Sequence, residues 1–439
     1  MQRYLILLFI LISFCLFARQ VKASESQPAN SLEAIPEGYS ISSNPGAVNL
    51  SVGSGRAQRF FMELAGAKDD HGVKLGGMWL SDVNVLMSGG VDPGDWSGNS
   101  LLVLDLHIDA EKLLHWKGAS FGAEFLQFNG SNTNGEAGTA QGYNSLPGEH
   151  PFNRSELYQL WYRQELFDGK LIFRIGKSVP TYHFGNVLRP TSNTNTKTNI
   201  PSVSSLTFTP VFVNPTMLGV LPGYYNSAYG VVLTAAPVKQ FYFNGGVFDG
   251  NMARGKQTGI NVLPEFNGYT FTIGEVGISW LLGEEEKPGN VGLGGWHQSG
   301  KLERNGVSQN GISGFYLFGS QRLWYKDPGE NDSGLSFFYQ FGVNNSGVIS
   351  ATHYIGGGLT AFQLIPKRPL DSLGLGVAFS WLNQDLMPRS HEFMFQAYYQ
   401  AHIIYDLYLQ PVITYIPNPG ASASASGAVA STLRMMFFF

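Results

Sequence analysis

Alternation of polar and apolar side chains at every second residue restricts the fold of this chain more than any other feature. Leu102–Ala110 reads L-V-L-D-L-H-I-D-A, which sets Leu104, Leu106 and Ile108 on one face and Asp105, His107 and Asp109 on the other. Leu157–Phe167 places Tyr158, Leu160 and Tyr162 opposite Gln159, Trp161, Arg163 and Glu165. It ends at Asp168-Gly169, a strong hairpin signal, and Lys170–Lys177 returns with Leu171, Phe173 and Ile175 against Arg174. Leu335–Val343, Leu373–Trp381, Glu392–His402 and Leu407–Tyr415 repeat the pattern. A period of two belongs to β-strands with one apolar and one polar face. About sixteen such strands fit between Val73 and Phe439, each spending roughly 10 residues on a span, and the long polar stretches Asn129–Arg154 and Arg189–Ser205 read as loops.

Which face meets an apolar medium decides the compartment. In a soluble sandwich the bulky residues face a core and the charges face water. In an outer-membrane barrel the apolar face meets lipid and the polar face lines a lumen. Sixteen strands are too many for one sandwich. Charged residues are only 14% of the 439, against about 25% in a soluble domain. That scarcity is expected when half of each strand meets hydrocarbon. Past the N-terminal segment no run of about 18 apolar residues occurs, so a helical span is excluded. The reading is an all-β, antiparallel transmembrane barrel preceded by one short helix, Ala57–Lys68.

The first residues form a targeting signal. Arg3 precedes the apolar run Leu5–Phe17, and Val21-Lys22-Ala23 offers a cleavage site after Ala23. The run is too short to cross a bilayer. The expected organisation is a signal peptide at 1–23, a flexible lead-in at 24–56 and the barrel at 57–439. The one cysteine, Cys15, lies in the signal, so disulfides, thiolate metal sites and thiol catalysis are not expected afterwards. The signal carries Arg3, Arg19 and Lys22 and no acid, which leaves 25 basic against 32 acidic side chains. That balance gives a nucleic acid nothing to bind. No zinc-protease, nucleophile-elbow or P-loop motif occurs, so neither catalytic residues nor a cofactor are assigned. The chain ends on an aromatic, with Phe439, Phe437, Met435 and Leu433 on one strand face. This resembles the sorting signal that outer-membrane barrels present to their assembly machinery.

Longer segments resemble one family, the carbohydrate-selective porins of the OprB type. Ser155–Lys177 (SELYQLWYRQELFDGKLIFRIGK) is similar to that family's central hairpin. His391–Gly420 resembles its late signature through Glu392, Tyr398, Gln410-Pro411 and Tyr415–Gly420. Pro222–Gly230, followed by Ala236-Pro237, matches a mid-chain segment, and Gly72 and Gly89-Gly90 fit the N-terminal pattern. The resemblance spans about 57–439. It implies a sixteen-stranded barrel in outer-membrane lipid that lets mono- or oligosaccharides diffuse passively, and a monomer in preference to a trimer.

The polar faces suit such solutes. Sugar hydroxyls accept and donate hydrogen bonds, and their C–H faces stack on aromatic rings. Asp105, His107, Asp109, Trp161, Arg163, Glu165 and Arg174 are the candidate pathway residues. Each has a plainer reading. Arg163, Glu165 and Arg174 could form ion pairs within the wall. A register slip of one residue would turn Trp161 outward. Asp105, His107 and Asp109 could bind a metal, although a hydrated wall is the commoner meaning of that spacing. Glu284–Glu286 beside Lys287 reads as a solvated turn. A general diffusion porin, a barrel enzyme such as a lipase, and a secreted lectin-like sandwich are the competing functions.

Overall fold

The computed structural model describes residues 72–144, 146, 152–185, 214–221, 226–238, 240–254, 263–328, 330–331, 333–404 and 406–439. The expected signal peptide, lead-in and helix Ala57–Lys68 lie outside them, as do the loop Arg189–Ser205 and residues 222–225 of the mid-chain segment.

Among the described residues sixteen antiparallel strands close into one barrel, each paired with its sequence neighbours and the first with the last. They are β1 (Val73–Gly90), β2 (Trp96–Asp109), β3 (Ala119–Asn129), β4 (Asn153–Leu166), β5 (Leu171–Ser178), β6 (Ala228–Val238), β7 (Phe241–Asp249) and β8 (Thr270–Leu282). The second half comprises β9 (Lys287–Arg304), β10 (Val307–Tyr325), β11 (Gly334–Asn344), β12 (Ala351–Phe362), β13 (Ser372–Leu382), β14 (His391–Ile404), β15 (Leu407–Ile416) and β16 (Ser426–Phe438). Closure leaves no sheet edge, which a bilayer demands because it offers no partner to an unpaired backbone group.

Alternation sets the two faces as expected. Val83, Leu104, Leu160, Ile175, Leu293, Phe315, Leu375 and Leu433 are exposed on the outside. The alternate positions, including Asp82, Asn84, Asn99, Glu275, Glu392, Gln396 and Arg434, are buried inside. The Asp168-Gly169 turn joins β4 to β5, and both residues take positive φ (55° and 78°), as a tight hairpin requires. The Glu284–Glu286 turn is solvated and Glu285 pairs with Lys287 at 2.8 Å.

One face assignment is overturned. Tyr158 was expected beside Leu160 and Tyr162 on the outer face, but it is only 1% exposed and packs inside with Leu126 and Phe128. The β3–β4 ladder skips a residue there: Glu124 pairs with Gln159, whereas Phe125 pairs with Leu157. Tyr158 is therefore the extra residue of a bulge, and the alternation restarts after it.

The C-terminus seals the β1–β16 seam. Phe439 exchanges backbone hydrogen bonds with Gly77 at 2.7 and 3.0 Å. Its ring lies over that glycine, where a side chain would collide with it, and 5.6 Å from the ring of Phe437. Met435 and Leu433 continue the same outer row.

The three longest connections, β3–β4, β5–β6 and β7–β8, share one end of the barrel, and no connection at the other exceeds nine residues, so the latter end is the periplasmic one. Two of the long connections fold inward. Ala137 and Tyr143, from the β3–β4 connection, pack against Leu86, Tyr354, Ala378, Met394, Ile416, Ala428 and Ala430 of the inner wall. Phe184, Met217, Val220 and Leu221, from the β5–β6 connection, pack against Phe248, Phe271, Trp296, Tyr316 and Phe338 on the other side. Apolar residues that face inward are thus covered by chain and not by water.

Candidate functional site: the charged inner wall of β2–β5

Between the two inward connections, towards the periplasmic end, the inner wall of β2–β5 carries the candidate residues. Asp105, His107, Trp161, Arg163, Glu165 and Arg174 all fall on inward positions of the ladder. Trp161 is 6% exposed and lies inside, so the outward reading of this residue is wrong. Its ring lies across Gly122 of β3, directly opposite in register, where a Cβ would come within 2.2 Å of the indole. Only glycine leaves room for that ring. The Arg174 guanidinium sits 4.0 Å above the same ring, a cation–π arrangement. The His107 ring lies 6.0 Å from it between centroids, tilted by 54°.

Charge on this wall is sorted, not interleaved. Arg163 and Arg174 are direct cross-strand partners on β4 and β5. Asp105 and Glu124 are direct partners on β2 and β3. Like charges opposite one another oppose pairing. The arginines are relieved in different directions: Arg163 Nη2 reaches Glu165 Oε1 at 2.5 Å, while Arg174 turns onto Trp161. Both are largely buried, at 8% and 6% exposure, whereas Asp105, His107 and Glu165 are half-buried. Residues 179–185 descend from above and bring His183 Nε2 to 3.4 Å from Arg174 Nη1.

Asp109 is placed differently from its neighbours in the pattern. It is the N-cap of a one-turn helix, α1 (Ala110–Leu114), and its Oδ1 accepts from the N–H groups of Glu111 (3.0 Å) and Lys112 (3.2 Å). Those bonds shape the periplasmic turn.

The sequence reading missed three groups here. Glu124 alternates with Gly122 and Leu126 and was open to discovery by parity. His183 sits in a connection without period. Glu275 of β8 accepts from Gly185 N–H (2.6 Å), Tyr242 O–H (3.0 Å) and Tyr316 O–H (2.8 Å), and so ties down the β5–β6 connection. Nothing local in its strand marks that role.

The comparisons bear on the family and the fold. The family model "Carbohydrate-selective porin, OprB family" matches residues 101–439. Porin B of Pseudomonas aeruginosa is 23% identical over 379 residues, covering 76% of this chain and 80% of its own. The high-pH structure of Pseudomonas putida OprB superposes with a TM-score of 0.75 at 19% identity, covering 89% of this chain and 99% of that one. The low-pH structure of the same protein gives 0.55 at 18% identity, with 88% and 97% covered. These superpositions speak for the fold, and the family match reaches across most of the chain. Family and fold point to a channel rather than an enzyme: the chain belongs to the carbohydrate-selective porin, OprB family, and is a sugar porin of the bacterial outer membrane.

Proposed function

We propose that sugars pass along the β2–β5 wall and that Asp105, His107, Trp161, Arg163, Glu165 and Arg174 contact them in transit. The observation that carries this reading is the sorted charge: an acidic pair, Asp105 and Glu124, stands beside a basic pair, Arg163 and Arg174. Such a wall offers acceptors and donors in adjacent banks, and a neutral polyhydroxy solute can use both. Both signs are present, so an ion of either sign meets repulsion as well as attraction. Trp161 adds a π-face for the C–H side of a pyranose ring. Contacts of this kind must stay weak and plural, because a solute held tightly does not leave.

The test is ion current through single channels in planar bilayers, with saccharides added to one side. Wild type should show concentration-dependent block. Arg163→Ala and Arg174→Ala should weaken that block while the barrel still migrates as folded protein. Block that is identical in wild type and both variants removes these residues from the pathway. Open channels indifferent to every sugar would favour general diffusion. Liposome swelling with mono- and disaccharides measures the same selectivity directly as flux.

A further inference from the structure

The β3–β4 connection is fastened to the inside of the barrel, residue by residue. Its stretch Thr139–Asn144 meets inward side chains of β1, β13, β14 and β16. Glu392 of β14 is the hub. Its carboxylate accepts from Thr139 O–H (2.6 Å), Ala140 N–H (2.8 Å) and Gln141 N–H (3.1 Å), and also from Gly420 N–H in the β15–β16 connection. Ser380 O–H donates to Gln141 Oε1 at 2.8 Å, and Gln396 donates to the Tyr143 carbonyl at 2.8 Å. Asn144 donates to Asp82 (2.9 Å) and Asn84 (2.6 Å).

The chemistry of Glu392 suits holding chain and little else. An ionised carboxylate only accepts, with about four lone-pair sites on two oxygens. Four donors occupy them, three from one short stretch of loop. Among the described residues Glu392 forms no ion pair, so neutral loop donors are what its charge engages. The stretch it fastens lies within the bore, since Ala137 and Tyr143 cover inner-wall residues of β1 and β12–β16. A layer of chain laid face-on against the wall narrows a bore by up to about 10 Å with its side chains, the spacing of layers stacked face to face.

We infer that Glu392 is the latch that keeps the β3–β4 connection inside the bore, and that it thereby sets the size limit for solutes. It acts through the loop and is a positioning residue, not a group that touches the sugar. The inference rests on the reading of this barrel as a sugar channel, but its test also has an ionic readout.

The experiment uses the full barrel with Glu392→Ala and Glu392→Gln, measured by single-channel conductance and by liposome swelling with a ladder of malto-oligosaccharides. Glu392→Ala should raise single-channel conductance and should admit a longer saccharide than the largest that passes wild type. Glu392→Gln keeps one acceptor oxygen but points an N–H₂ at the loop donors, so it should fall between the two. A merely structural role would lower the unfolding midpoint and leave the saccharide limit alone. If Glu392→Ala does not assemble, replacing 135–143 by a short Gly-Ser linker leaves the wall intact and should produce the same widening. Conductance and saccharide limit equal to wild type in an assembled variant would overturn the latch. If wild type admits no saccharide, the sugar reading fails, and ionic conductance alone still decides the latch.

Discussion

Replacing Arg434 with alanine should cost this barrel more than any comparable change on its outer face. Arg434 and Asp82 face each other across the β1–β16 seam. Arg434 Nε and Nη2 donate to Asp82 Oδ1 and Oδ2 at 2.8 and 2.7 Å, a bidentate pair. Their side chains are 3% and 0% exposed. Removing one partner of a buried pair strands the other charge, at a cost of about 3–5 kcal/mol. A loss of about 3 kcal/mol lowers the folded-to-unfolded ratio more than a hundredfold. Removing both charges should be far milder. Asp82→Asn with Arg434→Met leaves no buried ion and keeps an acceptor for Asn144, so a cost below about 2 kcal/mol is expected. The assay is guanidinium unfolding of detergent-solubilised barrel followed by Trp fluorescence, with both single variants and the double variant forming a cycle. Because the pair is desolvated, the difference should survive 1 M salt, which screens exposed charges within about 3 Å. If Arg434→Ala is no worse than the double variant, the pair is solvated in practice and the argument from burial fails.

Phe439→Ala keeps the backbone bonds to Gly77 but removes a ring that covers the seam, and truncation of a buried Phe costs about 3–5 kcal/mol. The yield of heat-modifiable barrel in outer membranes should fall sharply, and normal assembly would contradict the sorting role. Gly122→Val must displace the Trp161 ring and with it the seat of Arg174, so saccharide block should weaken while ionic conductance persists. At the β12–β13 turn, burial tends to raise the Asp371 carboxyl, but hydrogen bonds from Arg368, Tyr399 and the His402 N–H outweigh it and hold Asp371 below the usual carboxylate range. A lowered pKa contributes stability above the unfolded value of about 3.9, and that stability is lost as pH falls through the folded value. The melting midpoint of wild type should therefore drop below about pH 4 more steeply than that of Asp371→Asn. Parallel curves would show that Asp371 is not a stabilising group.

Alternation made the strands legible because a barrel wall has two unlike sides and strand geometry enforces the difference. Leu102–Ile108 and Leu171–Ile175 could be read face by face, and the structure keeps those faces, whereas Lys177 breaks the alternation and is buried. Tyr158 could not, because a bulge inserts a residue without a signature of its own and reverses parity for the part of β4 that precedes it. The inward connections were illegible for another reason. Polarity tells water from hydrocarbon, but a lumen is polar too, so Asn129–Arg154 reads alike whether it lies outside the barrel or within it. Parity turns Glu392 and Glu275 inward, but nothing in their strands marks the connections they hold, and His183 lies in a connection without period. Helix α1 escaped similarly: Asp109 fits the strand alternation until its carboxylate is seen to cap the turn.

The proposed passage of sugars along β2–β5 rests on the sorted charge of that wall, and it can be tested against a purely structural role. A purely structural wall would alternate signs across strands, since opposite charges facing each other contribute roughly 0.2–1 kcal/mol per pair and like charges cost a similar amount. Arg163 opposite Arg174 forgoes that gain. Local rules broken in this way are expected at functional positions. Exchanging Arg163 and Glu165 tests the point without altering total charge. Arg163→Glu with Glu165→Arg sets a carboxylate opposite Arg174 and leaves the same groups two residues apart on one strand. Unfolding midpoints should hold or rise, because a repulsive pair becomes an attractive one, while saccharide block should fall as the donor bank is broken up. Stability and sugar recognition would then move in opposite directions, which no loss of packing can imitate. A variant that is less stable and still blocked by sugar would mean that the arrangement serves the fold.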